Sequence, residues 1–158
     1  MGDTSGMAKK GAEKGGGFEV FDHTADIGLS VYGSSLVETF ENAARGMFHI
    51  MAPSASVFPR EVKEFTLRAD TREELLVAWL SELIYLFDAE SFMPGVIKIT
   101  QLEENSHGPV LRARVSGEPL DQKRHNPETE IKAVTYHRLE LMQDEQNNNW
   151  TAQIIFDV

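Results

Sequence analysis

The order in which two hydrophobic periods follow one another constrains this chain most. Ile27, Leu29 and Val31 alternate with Gly28, Ser30 and Tyr32, the period of a strand with one buried face. Phe18–Asp22 reads as a strand just before it. Gly33 ends the alternation, and Ser35 with Glu38 three residues on has the form of a capping box. Leu36, Phe40, Ala43, Ala44, Met47, Phe48 and Met51 then recur at helical spacing until Pro53. The sequence repeats the exchange once. Val62–Ala69 alternates, Asp70 and Glu73 form a second capping pair, and Leu75, Leu76, Trp79, Leu80, Leu83, Ile84 and Phe87 give a broad apolar helical face.

Beyond Pro94 and Gly95 the pattern is strands only. Val96–Leu102 and Val110–Val115 flank a turn-rich stretch, Asn105–Pro109, while Gly117–Pro127 is polar and loop-like. Ile131–Met142 places Ile131, Ala133, Leu139 and Leu141 on one face. After a hairpin loop at Asp144–Asn149, Trp150–Phe156 turns Trp150, Ala152, Ile154 and Phe156 inward. Strands, helix, strand, helix and a run of strands predict an α+β fold, a two-layer arrangement of a mixed or antiparallel sheet with two main helices on one face.

Length and charge bound the function. A chain of 158 residues suits one domain with a real core. Residues 18–158 are expected to form it, and the Gly/Lys-rich residues 1–17 to form a disordered leader, too polar to repay the entropy of ordering. No apolar run reaches membrane-spanning length and no signal peptide is read, so a cytoplasmic location is expected. With no cysteine, disulfides, thiolate catalysis and Cys-based zinc sites are excluded. The formal charge is −10; the leader's three lysines against Asp3 and Glu13 leave −11 on the remainder. Such a domain repels phosphate backbones, so direct tight nucleic-acid binding is not expected, and a link to RNA would run through a basic protein partner.

Three short stretches set charges inside or beside apolar runs, where an unpaired charge is costly: His23–Gly28, Glu130–His137 and Ile154–Val158. Asp26 begins a strand after a tight polar link, a position suited to bonding turn amides, and Asp22 is open to the same reading. Asp157 follows Ile154-Ile155-Phe156 on the face opposite Phe156. It reads as a solvated terminal acid or as part of an oxygen cluster with the Val158 carbonyl and the terminal carboxylate, a donor set suited to a hard cation. Lys132 alternates with Ile131 and Ala133 and reads as a solvent-facing strand lysine; flanked by Asp26 and Asp157 it would offset their charge or meet a phosphate. Among the histidines, His49 sits late in a helix, His107 and His125 look like loop residues, and His23 and His137 are possible neighbours of Asp26 across the sheet. No pair has zinc-ligand spacing, and no phosphate-cradling or nucleophile-elbow motif is present.

His-Thr-Ala-Asp-Ile-Gly at 23–28, Glu-Ile-Lys-Ala-Val-Thr-Tyr-His at 130–137 and the final Phe-Asp-Val resemble the archease family, in that order and from about Phe18 to Val158. The resemblance implies a small cytoplasmic α+β protein that activates the RtcB-type RNA ligase of tRNA splicing. Such activators promote ligase guanylylation and multiple turnover and broaden its nucleotide use. It implies a divalent metal, assigned as calcium, with Asp26 and Asp157 as carboxylate ligands and the Val158 carbonyl as a third. Lys132 would be the functionally required lysine, no residue would be catalytic in its own right, and His137 receives no role. Two other classes stay open: a general chaperone or adaptor of nucleic-acid enzymes, and a metal-dependent phosphoesterase. The phosphoesterase lacks an evident nucleophile or a base poised near neutral pH.

Overall fold

The computed structural model describes residues 17–23 and 26–158. The expectations for residues 1–16, for the turn at Thr24 and Ala25, and for the side chains of Asp22 and His23 lie outside the described residues.

Among the described residues, seven strands divide between two antiparallel sheets. One takes β1 (Phe18–His23), β2 (Asp26–Gly33), β6 (Ala133–Asp144) and β7 (Asn149–Asp157) in the order β1-β2-β7-β6. The other takes β3 (Glu61–Arg68), β4 (Phe92–Asn105) and β5 (Gly108–Pro119) in the order β3-β5-β4. The helices α1 (Leu36–Met51) and α2 (Arg72–Asp88) each touch both sheets, α1 through β1, β2, β7 and β4, α2 through β3, β4, β5 and β6. Contact on two sides explains why α2 is apolar over so wide an arc: Leu75, Leu76, Trp79, Leu80 and Leu83 are all fully buried. The indole N–H of Trp79 donates to the Phe40 carbonyl at 2.9 Å, which ties the helices together inside the core.

Local chemistry sets the element ends. Ser35 caps α1, its Oγ accepting from the Glu38 amide at 3.0 Å, while Glu38 Oε1 accepts from the Ser34 amide and hydroxyl. The second cap lies one residue later than Asp70. Thr71 accepts from the Glu74 amide at 3.1 Å, and Glu74 accepts from the Asp70 amide. The sequence carries two overlapping acid-spaced candidates, and backbone geometry selects the one whose first residue is extended (Thr71, φ −132°, ψ 163°).

Gly117–Pro127 is not a plain loop. β5 continues to Pro119, and a short helix, α3 (Gln122–His125), follows. The reason is a buried charge cluster: Glu118 is 2% exposed and His125 0%. Glu118 accepts from the Phe58 amide at 2.9 Å and pairs with Arg124 Nη2 at 2.7 Å and His125 Nε2 at 2.9 Å. The Asp121 amide donates to His125 Nδ1 at 2.9 Å, so Nδ1 carries no proton and the ring gives its Nε2 proton to Glu118. These bonds, the Arg124 guanidinium foremost, hold the Glu118 carboxyl well below its ordinary 4.5, at about 2, against the opposing effect of burial. His125 is a core residue.

β6 also departs from simple alternation. Thr135 opposes Ile155 and Glu140 opposes Gln153, so the four residues Tyr136–Leu139 face Ile154 alone. Three extra residues, an odd number, invert the alternation. Ala133 before the bulge is exposed, whereas Leu139 and Leu141 after it are half-buried against the core. Ile131 is buried, but it precedes the strand and does not share a face with Ala133.

Candidate functional site

The site is built at one end of the β1-β2-β7-β6 sheet. β2 and β7 pair antiparallel with Leu29 opposite Ile154 and Val31 opposite Ala152, all four facing the core. This apolar register fixes the next pair without freedom, because a slip of one residue would turn Leu29 and Ile154 out of the core. Asp26 therefore stands directly opposite Asp157, and Ala133 of β6 completes the row on the other side of Asp157. Directly opposed residues share a face, so both carboxylates project from the side away from the helices. Their Cβ atoms are roughly 4.5–5.5 Å apart for such a pair. Asp157 is exposed; Asp26 is half-buried, with Oδ1 shielded from solvent.

Beneath this row lies a small apolar floor. Phe21 pairs with Gly28, and its ring lies across the glycine: a Cβ there would come within 2.0 Å of Phe21 Cζ. Ile155, opposite Gly28 on β7, is 1% exposed although it points away from the main core. Thr135 closes the far side, its hydroxyl donating to the Ile155 carbonyl at 3.0 Å. Phe21 and Thr135 escape a reading of the sequence, since nothing local distinguishes them from other strand residues. Gly28 leaves a faint signal, a glycine inside an alternating strand.

Lys132 reaches the site by its backbone. Its amide donates to the Asp157 carbonyl at 2.8 Å, extending the β6–β7 ladder one residue past Ala133. The side chain is exposed and, among the described residues, forms no ion pair with Asp26 or Asp157. Val158 is half-buried against the core, next to Asp157 along the chain. The fold thus gathers all four predicted residues within one sheet end, with the two acids facing each other and the lysine beside them.

Two opposed carboxylates suit a hard cation in charge and donor type, since like charges directly across a strand pair repel unless something positive lies between. The described residues contain no group of three His, Asp or Glu side chains placed to hold a metal. Any cation here would complete its shell with backbone oxygens and water.

The other histidines fall elsewhere. His49 packs on Phe18 with ring centroids 5.4 Å apart, and His107 is exposed in the β4–β5 turn. His137 lies in the β6 bulge. A cleft of about 940 Å³ opens at the opposite end of the same sheet, lined by Tyr32, Glu38, Asn42, Arg45, Asp144 and Trp150 among others. Several of its polar groups are committed: Asn42 donates to the Tyr32 carbonyl, Arg45 to Asn42, and Asp144 accepts from the Gln146 amide. That leaves the carboxylate end as the better candidate.

Comparison with known proteins gives the chain a family. The Archease protein family (MTH1598/TM1083) matches residues 18–158. Protein archease of Thermococcus gammatolerans is 39% identical over 143 residues, covering 89% of this chain and 98% of its own length. Protein archease of Methanosarcina acetivorans is 38% identical, covering 89% and 95%. The solution structure of Methanobacterium thermoautotrophicum protein 1598 superposes with a TM-score of 0.76 at 33% identity, covering 90% of this chain and 99% of that one. No helix among the described residues is long and apolar enough to cross a membrane. The chain belongs to the archease family.

Proposed function

We propose that this protein is a non-catalytic activator of an RtcB-type tRNA-splicing RNA ligase, promoting ligase guanylylation and multiple turnover and widening its nucleotide use. The observation that carries this reading is the direct opposition of Asp26 and Asp157, with the Lys132 amide bonded to the Asp157 carbonyl. Three segments distant in sequence converge there, and nothing in the packing of the core requires them to be charged.

The acidic tip, organised by calcium or another hard divalent cation on Asp26, Asp157 and the Val158 carbonyl, docks at the mouth of the ligase active site. Lys132 contacts a phosphate or an acidic ligase residue and favours the conformation that accepts GMP. A net charge of −10 supports a basic, phosphate-handling partner over direct RNA binding. Two carboxylates and an ammonium offer no nucleophile paired with a base, which supports activation of another enzyme's chemistry in the cytoplasm over an activity of its own.

The test is ligation by the matching ligase under single and multiple turnover, with and without this protein. Stimulation confined to multiple turnover and abolished by Asp26→Ala or Lys132→Ala is expected. Full stimulation by both variants would remove the site assignment. Calorimetric titration with calcium checks the metal separately: one site is expected, and Asp157→Asn should weaken it by at least about tenfold, the loss of one charged ligand.

A further inference from the structure

The outer face of the β3-β5-β4 sheet has the opposite charge balance to the chain as a whole. Phe65, Leu67, Ile97, Ile99, Ala113 and Val115 pack into the core. The residues that alternate with them stand on the other face: Arg68 of β3, Lys98 of β4, and Arg112 and Arg114 of β5, all exposed. Two acids share that face. Glu64 is paired with Arg114 at 2.6 Å, and Glu103 accepts from the Gln101 side chain. The other charges of these strands alternate to the core side or its rim: Glu61 beside Arg60, Lys63 paired with Glu90, Glu104 paired with Arg72, and the buried Glu118. Four cations therefore meet two acids on this face, in a chain with 25 acids for 15 lysines and arginines. Among the described residues, Arg68, Lys98 and Arg112 form no ion pair. Arg112 is central: it stands on the middle strand opposite Thr66 and Gln101, and the exposed Thr100 is bonded to its carbonyl at 3.3 Å.

We propose that this face is a contact surface for the phosphodiester backbone of one RNA strand, held by Arg68, Lys98 and Arg112 while the protein sits on the ligase. This rests on the activator reading above. The chemistry of the face selects the occupant. An acidic protein partner would need an apolar centre to pack against, and here the centre is Arg112 between Thr66 and Gln101, with the exposed Val62 and Val96 at one end. Guanidinium, ammonium and hydroxyl groups are what a phosphate backbone takes up. The face has no aromatic side chain on which a base could stack, so contact is with the backbone and independent of sequence. Three strands about 4.8 Å apart make a face about 10 Å across, which suits one extended strand. The net charge of −10 keeps this contact weak in the free protein, and docking on the ligase supplies the local concentration at which it counts.

The experiment has two arms, each comparing wild type with Arg68→Glu/Arg112→Glu. Fluorescence anisotropy with a labelled single-stranded RNA oligonucleotide at low salt should show weak binding by wild type. Its affinity should fall with salt at a logarithmic slope of about −2, the value for three phosphate contacts to a single strand. The double variant should bind at least about tenfold more weakly. In multiple-turnover ligation it should raise the KM for RNA and leave both kcat and the half-maximal activator concentration unchanged. Arg68→Gln/Arg112→Gln should fall between the two, and thermal melts of all variants should match wild type within a few degrees. No RNA binding by wild type, with an unchanged KM in the variant, overturns the RNA surface and leaves the activator reading intact. A raised half-maximal activator concentration with an unchanged RNA KM makes an acidic protein surface the occupant and overturns RNA. RNA binding that the double variant loses, with no stimulation of ligation by wild type, upholds the surface and overturns the activator reading.

Discussion

Glu118 shows how a single charge is made to belong in a core. It is nearly inaccessible, yet its carboxyl sits near a pKa of about 2 because Arg124, the Phe58 amide and His125 all favour the ionised form. In the unfolded chain it returns to about its ordinary 4.5. The sign follows: a lowered carboxyl pKa contributes stability in full above 4.5, and the contribution is lost as pH falls toward about 2. Glu118→Gln should therefore melt well below wild type at pH 7, with the gap closing as the pH is lowered through that window. Thermal melts of both proteins from neutral to acid pH check this, and a constant gap would mean that shape and not charge is what Glu118 supplies. Gly28 makes the contrasting case, a position where absence of a side chain is the requirement. Gly28→Ala drives a methyl into the Phe21 ring and should cost about 1–3 kcal/mol, as overpacking does. Combined with Phe21→Ala the penalty should be less than additive, a coupling that urea denaturation of the double-mutant cycle resolves.

Elements were legible where a local rule decided them. The period-two stretch of β2, the helical stripe of α1 and the inward set Trp150, Ala152, Ile154 and Phe156 of β7 all stand where the sequence puts them. Thr71 and β6 mark the limit. Two capping candidates one residue apart differ only in how the preceding strand delivers the chain, and β3 delivers it so that Thr71 is extended. In β6 the parity changes at a bulge that no residue in the strand announces, because it is fixed by bonds to Gln153 and Thr135 on two chain segments. The cap has a measurable consequence. Thr71→Ala should lower stability by about 1 kcal/mol, while Asp70→Ala should cost less, since Asp70 contributes only its amide to the box. Equal losses in urea denaturation would return the cap to Asp70.

At the scale of the whole molecule, sheet membership is the part a sequence conveys least. Which strands share a sheet depends on pairings between segments more than a hundred residues apart, such as Asp26 with Asp157. The residues of the candidate site nonetheless stand out in the sequence, because charges at the ends of apolar runs do so wherever the runs are later assembled; the contacts of Phe21 and Thr135 beneath them do not, since those exist only across strands. Assembly also gives the molecule an electrical direction. A chain of net charge −10 presents directly opposed acids at one sheet end. In the proposed complex with the ligase, long-range attraction would govern approach to a basic cleft, and short-range contacts would govern what holds after docking. Salt separates the two. Raising ionic strength from about 0.1 M to about 1 M shortens the screening length from about 10 Å to about 3 Å, so steering fades while packed contacts persist. The association rate with the ligase should fall steeply across that range and the dissociation rate should change little, as stopped-flow mixing would report. For Asp157→Asn the salt slope of the association rate should be shallower than in wild type. An association rate indifferent to salt would mean that the acidic surface does not guide docking.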